Sequence, residues 1–421
     1  MSTEFPPFGG LNLKFRPVPG KGDDLAEVHL FTGVNGTGKT RLLSFLCAVL
    51  GNQGPLKTRL CGENNEIRFV VSDKLDPESE PVRSANFSVS RMHGGMWLHG
   101  ASPAQWAGSV PAFAYSGAAY LADAQIPPVG PTPRPDRAQC LSFGRAEATS
   151  KDLLQAISNL VVQAGVALAP RRAGAKDPGT PREAELLVTL ESALQDITGR
   201  ACRFSFRGPT NPQLAVVWGG TSLLFSALPD GLRSIIGWLA HALVMMHVWL
   251  QGEGDPSQSE AVFLLDEVET HLHPAWQRRV LPAFQRLFPK AQIFIATHSP
   301  FVIASLNYGW IHALSLGADG IVQSRSFEAS RGDSYITAVE DIMGVKEWYD
   351  PESEELLRQF KEVREAAYGG DNRAQQEARK LAERIGKRSP ELSFVMGREL
   401  AQMDRQLRVG RGEHAQVSPS R

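Results

Sequence analysis

Eight consecutive residues, Gly33 to Thr40, read G-V-N-G-T-G-K-T and match the phosphate-binding pattern G-x-x-x-x-G-K-[ST] without a gap. Glycines let backbone N–H groups turn toward phosphate oxygens, and a helix starting near Lys39 points its positive dipole end at the same place. Lys39 neutralises phosphate charge, and the Thr40 hydroxyl is placed for Mg2+. The nucleotide contacts expected here are Gly33, Asn35, Gly36, Thr37, Gly38, Lys39, Thr40 and Arg41. A second segment, V-F-L-L-D-E from Val262 to Glu267, is an apolar run ending in two acids, a Walker B pattern. Asp266 is expected in the Mg2+ shell, and Glu267 is expected to polarise the attacking water. A third, T-H-S from Thr297 to Ser299, ends the next apolar run and offers His298 to the γ-phosphate. Together these residue types are those of ATP binding and hydrolysis.

Such residues must be held by strands and helices, and the flanking sequence supplies both. Val28–Thr32 reads as a buried strand and Arg41–Leu50 as an apolar helix, with the loop between them. Val262–Leu265 and Gln292–Thr297 are short, fully apolar runs, as central parallel strands are. Pro274–Leu287 is predicted helical, and Ala215–Trp218 a strand. Leu11–Phe15 suggests an edge strand, Ala112–Tyr115 is β-like, and Ile67–Val71 with Ala85–Ser90 suggests a small antiparallel region. Lys151–Leu168 and Glu183–Ile197 predict a helical hairpin with Arg171, Arg172, Lys176 and Arg182 at its tip. From Pro351 to Leu407 the pattern is helical and highly charged. The expected fold is therefore α/β, a P-loop NTPase with a mixed, largely parallel core sheet, a short helical hairpin insertion and a C-terminal helical tail. Its domains are read as 1–349, with the insertion at about 150–200, and 350–421.

Composition narrows the class. With 42% hydrophobic and 21% charged residues the chain can bury a large core. A formal net charge of -1 gives no bulk attraction to nucleic acid or to a membrane surface. Ile235–Leu250 is strongly apolar but carries His241 and His247 and starts beside Arg233. It falls short of the roughly 20 apolar residues of a span and is read as a buried core helix. Cys47, Cys61, Cys140 and Cys202 are scattered, with no metal-ligand spacing, and read as reduced thiols of a cytoplasmic protein. The N-terminus has no signal pattern of a basic stretch followed by an apolar one.

The ordered set G-x-N-G-x-G-K-T, L-L-D-E-V-E-T-H-L-H-P and I-A-T-H-S-P resembles ABC-type ATPases of the SMC, RecF and OLD-like group. Within that group it is most similar to bacterial ATPases ascribed to the AAA family and to anti-phage or toxin systems. The resemblance spans roughly Leu25 to Leu316. It implies that Glu269 and His271–Pro274 lie in the D-loop region and that His298 is the switch histidine. It also implies a signature loop, which matches A-L-P-D-G-L-R-S from Ala227 to Ser234. In the family this loop reads L-S-x-G and reaches the γ-phosphate bound by a second subunit. Here Pro229 stands where Ser is usual, while Asp230 and Gly231 keep their places. Proline offers no hydrogen-bond donor, so one contact across the subunits is lost and slow turnover is implied. The Q-loop glutamine is left between Gln125 and Gln139, and an adenine-stacking ring between Phe8, Phe15 and neither.

The resemblance implies a head-to-tail homodimer or higher homo-oligomer enclosing ATP and Mg2+. The helical insertion lacks sustained heptads, which excludes a long coiled-coil arm. The tail has no nuclease motif. Its run G-D-x-x-A-x-x-x-A-R-K-L-A-E, Gly370 to Glu383, resembles ATPases of Septu-type defence operons. Those work beside a separate HNH nuclease. The expectation is a nucleotide-driven dimer switch controlling such a nuclease, with no membrane partner. The competing expectations are a RecF-like repair ATPase that binds DNA directly and a slow-turnover, ATP-bound scaffold.

Overall fold

The computed structural model of the chain describes residues 2–3, 11–49, 66–72, 84–92, 95–100, 110–117, 150–168, 182–207, 213–250, 252–329, 332 and 334–410. The strands among them are β1 (Ser2–Thr3), β2 (Leu11–Asn12), β3 (Glu27–Gly33), β4 (Glu66–Ser72), β5 (Ser84–Met92), β6 (Gly95–Gly100) and β7 (Ala112–Ser116). They continue with β8 (Cys202–Arg207), β9 (Gln213–Trp218), β10 (Thr221–Leu224), β11 (Val262–Asp266), β12 (Gln292–Ala296), β13 (Trp310–Leu316) and β14 (Val322–Glu328). The helices that matter to the site are α1 (Lys39–Val49), α2 (Ser150–Leu168), α3 (Arg182–Thr198), α4 (Asp230–Trp249), α5 (Pro274–Leu287) and α6 (Pro300–Ile303).

The central sheet has the order β14-β13-β3-β12-β11-β7 and is parallel except for β14. Its inner strands are buried along nearly their whole length, which is why they read as continuous apolar runs. On one face α1 lays Leu42, Leu43 and Phe45 against Phe31, Leu264 and Phe294. On the other, Phe263 of β11 meets Phe284 of α5 and Phe288 just beyond it, each at 4.9 Å between ring centroids. Trp238 of α4 stacks edge-on to Phe284 at 5.1 Å. These contacts seat α5 on β11 and α4 against α5, on the same face of the sheet. Emptying one such fully buried ring site costs about 3–5 kcal/mol.

α4 is the apolar helix of the sequence, and 83% of its apolar window is buried inside the fold. It packs with α2 and α3 in one core, so the core-helix reading holds. The hairpin helices stand where the spacing placed them, while the basic tip at Arg171, Arg172 and Lys176 lies outside the described residues; Arg182 pairs with Glu185. Two antiparallel sheets accompany the central one, β2-β1-β4-β5-β6 and β10-β9-β8. β7, read only as β-like, is a parallel member of the central sheet. The edge strand read over Leu11–Phe15 is confined to Leu11–Asn12. Phe15, half-buried, packs edge-on to His29 and Phe294, each at 5.1 Å. Phe8, Gln125, Gln139, Cys61 and Cys140 lie outside the described residues.

The chain divides into two compact units, Met1–Gly344 and Val345–Arg421. Among its described residues the second holds three helices, α7 (Pro351–Tyr368), α8 (Asn372–Gly386) and α9 (Pro390–Gly410). Asp350 and Asp371 cap α7 and α8 by accepting backbone N–H bonds in the first turn. An alanine stripe on α8, Ala374, Ala378 and Ala382, packs into a core with Phe360, Leu392 and Met396.

Candidate functional site

Parallel register decides where the motifs meet. β3, β12, β11 and β7 all end at one edge of the sheet, with Asp266 opposite both Ala296 and Ser116 and Ala296 opposite Phe31. The phosphate-binding loop, the two acids and Thr297–Ser299 therefore leave the sheet side by side, as ligand sites in open parallel sheets do. The loop after β3 turns through Gly36 at φ 88° and Gly38 at φ 86°, conformations that need glycine. Thr37 Oγ1 donates to Val34 O at 2.9 Å, and Lys39 Nζ donates to Gly33 O at 2.8 Å. Lys39 is buried, while Val34, Asn35 and Gly36 are exposed. Arg41 is half-buried in the first turn of α1.

The three motifs touch. Thr40 Oγ1 donates to Asp266 Oδ1 at 3.1 Å. His298 Nε2 lies 3.4 Å from Glu267 Oε1. Burial pulls the Lys39 ammonium below its ordinary pKa, and the carboxylates of Glu267 and Asp266 push it back. Burial and then the Lys39 charge hold the His298 imidazole below its ordinary value, against the pull of Glu267. His298 is thus neutral near pH 7, able to donate one hydrogen bond and accept another.

Glu267 sits in the left-handed region at φ 51°, and His271 at φ 67°. Such residues cost of order 1 kcal/mol or more and persist only where the surroundings enforce them. The enforcement is visible. Glu267 N donates to Ala296 O at 2.9 Å, and its own carbonyl accepts from Thr270 N and Thr270 Oγ1. Gly117, after β7, donates its N–H to Asp266 O at 2.8 Å. A Cβ on Gly117 would stand 1.8 Å from Glu267 O, so only glycine lets the two backbones pass. Neither Ser116 nor Gly117 was singled out in the sequence. The signal available was an apolar run, A-F-A-Y, ending in two small residues, which is too common to select.

Mg2+ and a nucleoside triphosphate are the groups this arrangement implies. The Thr40 hydroxyl and the Asp266 carboxylate are the hard oxygen donors Mg2+ takes alongside phosphate and water. A nucleotide-borne metal needs only one or two protein ligands.

Pro229, Asp230 and Gly231 stand elsewhere, at the N-terminus of α4. Pro229 is the N-cap residue and offers no side-chain bond to the first turn. Asp230 is exposed and pairs with the buried Arg233. Gly231 lies against the turn that follows the Walker B acids: a Cβ there would meet His271 O at 2.5 Å.

Residues 218–304 match the family model "AAA domain, putative AbiEii toxin, Type IV TA system". The chain is 26% identical to the Septu protein PtuA of Bacillus thuringiensis over 171 residues, 39% of this chain and 43% of that protein. It is 28% identical over 97 residues to the Retron Vc95 probable ATPase of Vibrio cholerae serotype O1 biovar El Tor, 22% of this chain and 18% of that one. In both cases it spans less than half the length of the relative. The crystal structure of an SmcHead bound to the C-winged helix domain of ScpA aligns with 75% of this chain and 95% of that one, at 14% identity and TM-score 0.42. Its motif order and its largely parallel sheet thus give the chain an ABC-type P-loop NTPase fold, and over part of its length it is similar to Septu PtuA and to a retron ATPase.

Proposed function

We propose that this protein binds ATP with Mg2+, hydrolyses it slowly, and uses the nucleotide to drive a head-to-tail homodimer in cytoplasmic anti-phage defence. The observation that carries the chemistry is Glu267 beside His298 at 3.4 Å, at the sheet edge that also holds Lys39, Thr40 and Asp266. Bound Mg2+ would neutralise phosphate charge from the Thr40 and Asp266 side. The loop amides and Lys39 hold the phosphates, Glu267 takes the proton of the attacking water, and His298 contacts the γ-phosphate. Pro229, Asp230 and Gly231 of a second subunit close the site. Pro229 makes no side-chain cap at the head of α4, and that helix N-terminus would bring the positive end of its dipole toward the phosphate. The missing serine hydroxyl supports slow turnover.

The defence role is supported by the similarity to a Septu protein and to retron ATPases, and a separately encoded effector such as an HNH nuclease is the partner that the resemblance of the tail to Septu-type ATPases implies. A RecF-like protein acting on DNA directly is the competing reading. ATP hydrolysis, dimerisation by sedimentation and DNA binding should be measured on the wild type, Lys39→Ala and Glu267→Gln. Lys39→Ala is expected to abolish ATP binding. Glu267→Gln is expected to trap an ATP-bound dimer with hydrolysis reduced by about 100-fold or more. DNA-stimulated hydrolysis that weakens steeply with salt would favour the RecF-like reading. A Glu267→Gln protein that hydrolyses at the wild-type rate would remove Glu267 from the mechanism.

A further inference from the structure

Two hydrogen-bonded links tie the histidine segment to the turn after the Walker B acids, and the ATPase chemistry uses neither. Thr297 Oγ1 donates to Glu269 Oε1, and Ser299 N donates to Thr297 Oγ1 at 2.9 Å. The hydroxyl is thereby committed: its proton goes to Glu269 and a lone pair to Ser299. Ser299 Oγ donates to Gln277 Oε1 at 2.7 Å. Gln277 Nε2 donates to Leu272 O at 3.0 Å and to Glu269 O at 3.4 Å. Both flanks of His298 are therefore bonded to residues that shape the turn Val268–His273. That turn holds His271 at its left-handed φ, and His271 O is the atom against which Gly231 of α4 packs. Glu269 and Thr297 are buried, and the second Glu269 carboxyl oxygen, Oε2, lacks a hydrogen bond.

A buried carboxyl with a half-satisfied environment is a poor choice for stability alone. It suits an element that must transmit a displacement. We infer that Glu269 is a positioning residue which, with Gln277, moves the Val268–His273 turn and the α4 N-terminus when His298 engages the γ-phosphate. The inference rests on the proposed ATP-driven dimer, since it is that reading which places the turn and α4 against a second subunit. Neither residue touches nucleotide in this scheme.

Hydrogen exchange of the Val268–His273 turn, with and without ATP and Mg2+, tests the link directly. It needs ATP binding but neither hydrolysis nor dimerisation. The wild type is expected to show altered exchange there on ATP addition. Glu269→Ala and Thr297→Val are each expected to bind ATP with unchanged affinity yet lose that change, and to lower kcat by about fivefold or more. Their double variant should be no worse than either alone, because both cut one link. Glu269→Gln, whose carbonyl still accepts from Thr297, should restore the wild-type response. ATP-induced protection that persists in Glu269→Ala, or additive losses in the double variant, would overturn the inference. Should the wild type show the protection without hydrolysing ATP, the coupling stands and the ATPase reading falls.

Discussion

Replacing Glu269 by glutamine should change how stability depends on pH, with a size set by the site. The Glu269 side chain is buried, and its carboxyl is pushed up to about 7 from an ordinary 4.5. Burial is the main cause. The nearby Glu267 and Asp266 charges add to it, and the Thr297 hydroxyl offsets part of it. An acid whose pKa is raised by folding supports the folded state while it is protonated in both states, below about 4.5. That support is lost as pH rises through about 7. The gap corresponds to about 3 kcal/mol, of which about 2.5 kcal/mol falls between roughly pH 5 and pH 9. Glutamine does not titrate, and it keeps the bond from Thr297. Urea unfolding of the nucleotide- and magnesium-free protein should be followed at pH steps across that range for wild type and Glu269→Gln. All other titrating groups are common to both and cancel in the difference. The variant should gain about 2.5 kcal/mol relative to wild type from the acid to the alkaline end. Curves that stay parallel would show that Glu269 is ionised throughout, and the account of its burial would be wrong.

Other substitutions follow from contacts already described. Gly117→Ala forces a Cβ onto the Glu267 carbonyl and should reduce hydrolysis by about 100-fold through misplacement of Glu267, with ATP still bound in a filter or fluorescence assay. Gly231→Ala would ordinarily favour a helix by up to about 1 kcal/mol. Here the clash with His271 O reverses the sign, and thermal unfolding should show a loss of about 1–3 kcal/mol. Tyr115 on β7 shares a buried 2.9 Å hydrogen bond with His241 of α4, so Tyr115→Phe should lower stability by about 1–2 kcal/mol in chemical unfolding.

Much of this protein was legible in order of residues alone. The loop Gly33–Thr40, the acids Asp266 and Glu267, and His298 each carry local patterns, because phosphate binding needs a fixed spacing along one stretch of chain. The buried parallel strands also announced themselves, since burial on both faces leaves an apolar run. α4 was read as core from the length of its apolar run, but the folded helix of 20 residues is long and apolar enough to cross a membrane, and it is its burial against the rest of the fold that supports the core reading.

Tertiary structure alone decided what those patterns touch. Which strands are neighbours depends on pairing between segments far apart in the chain, 150 residues for β7 with β11, and no local periodicity records it. Gly117 beneath Glu267, Thr297 on Glu269 and Gly231 against His271 are all contacts of this kind. Each pairs ordinary residues whose significance lies in a distance. A glycine is needed where another backbone passes, and a buried carboxyl matters for the hydroxyl that reaches it. The chain order states which chemistry is possible; the parallel register of one sheet edge puts the participants within reach of one another.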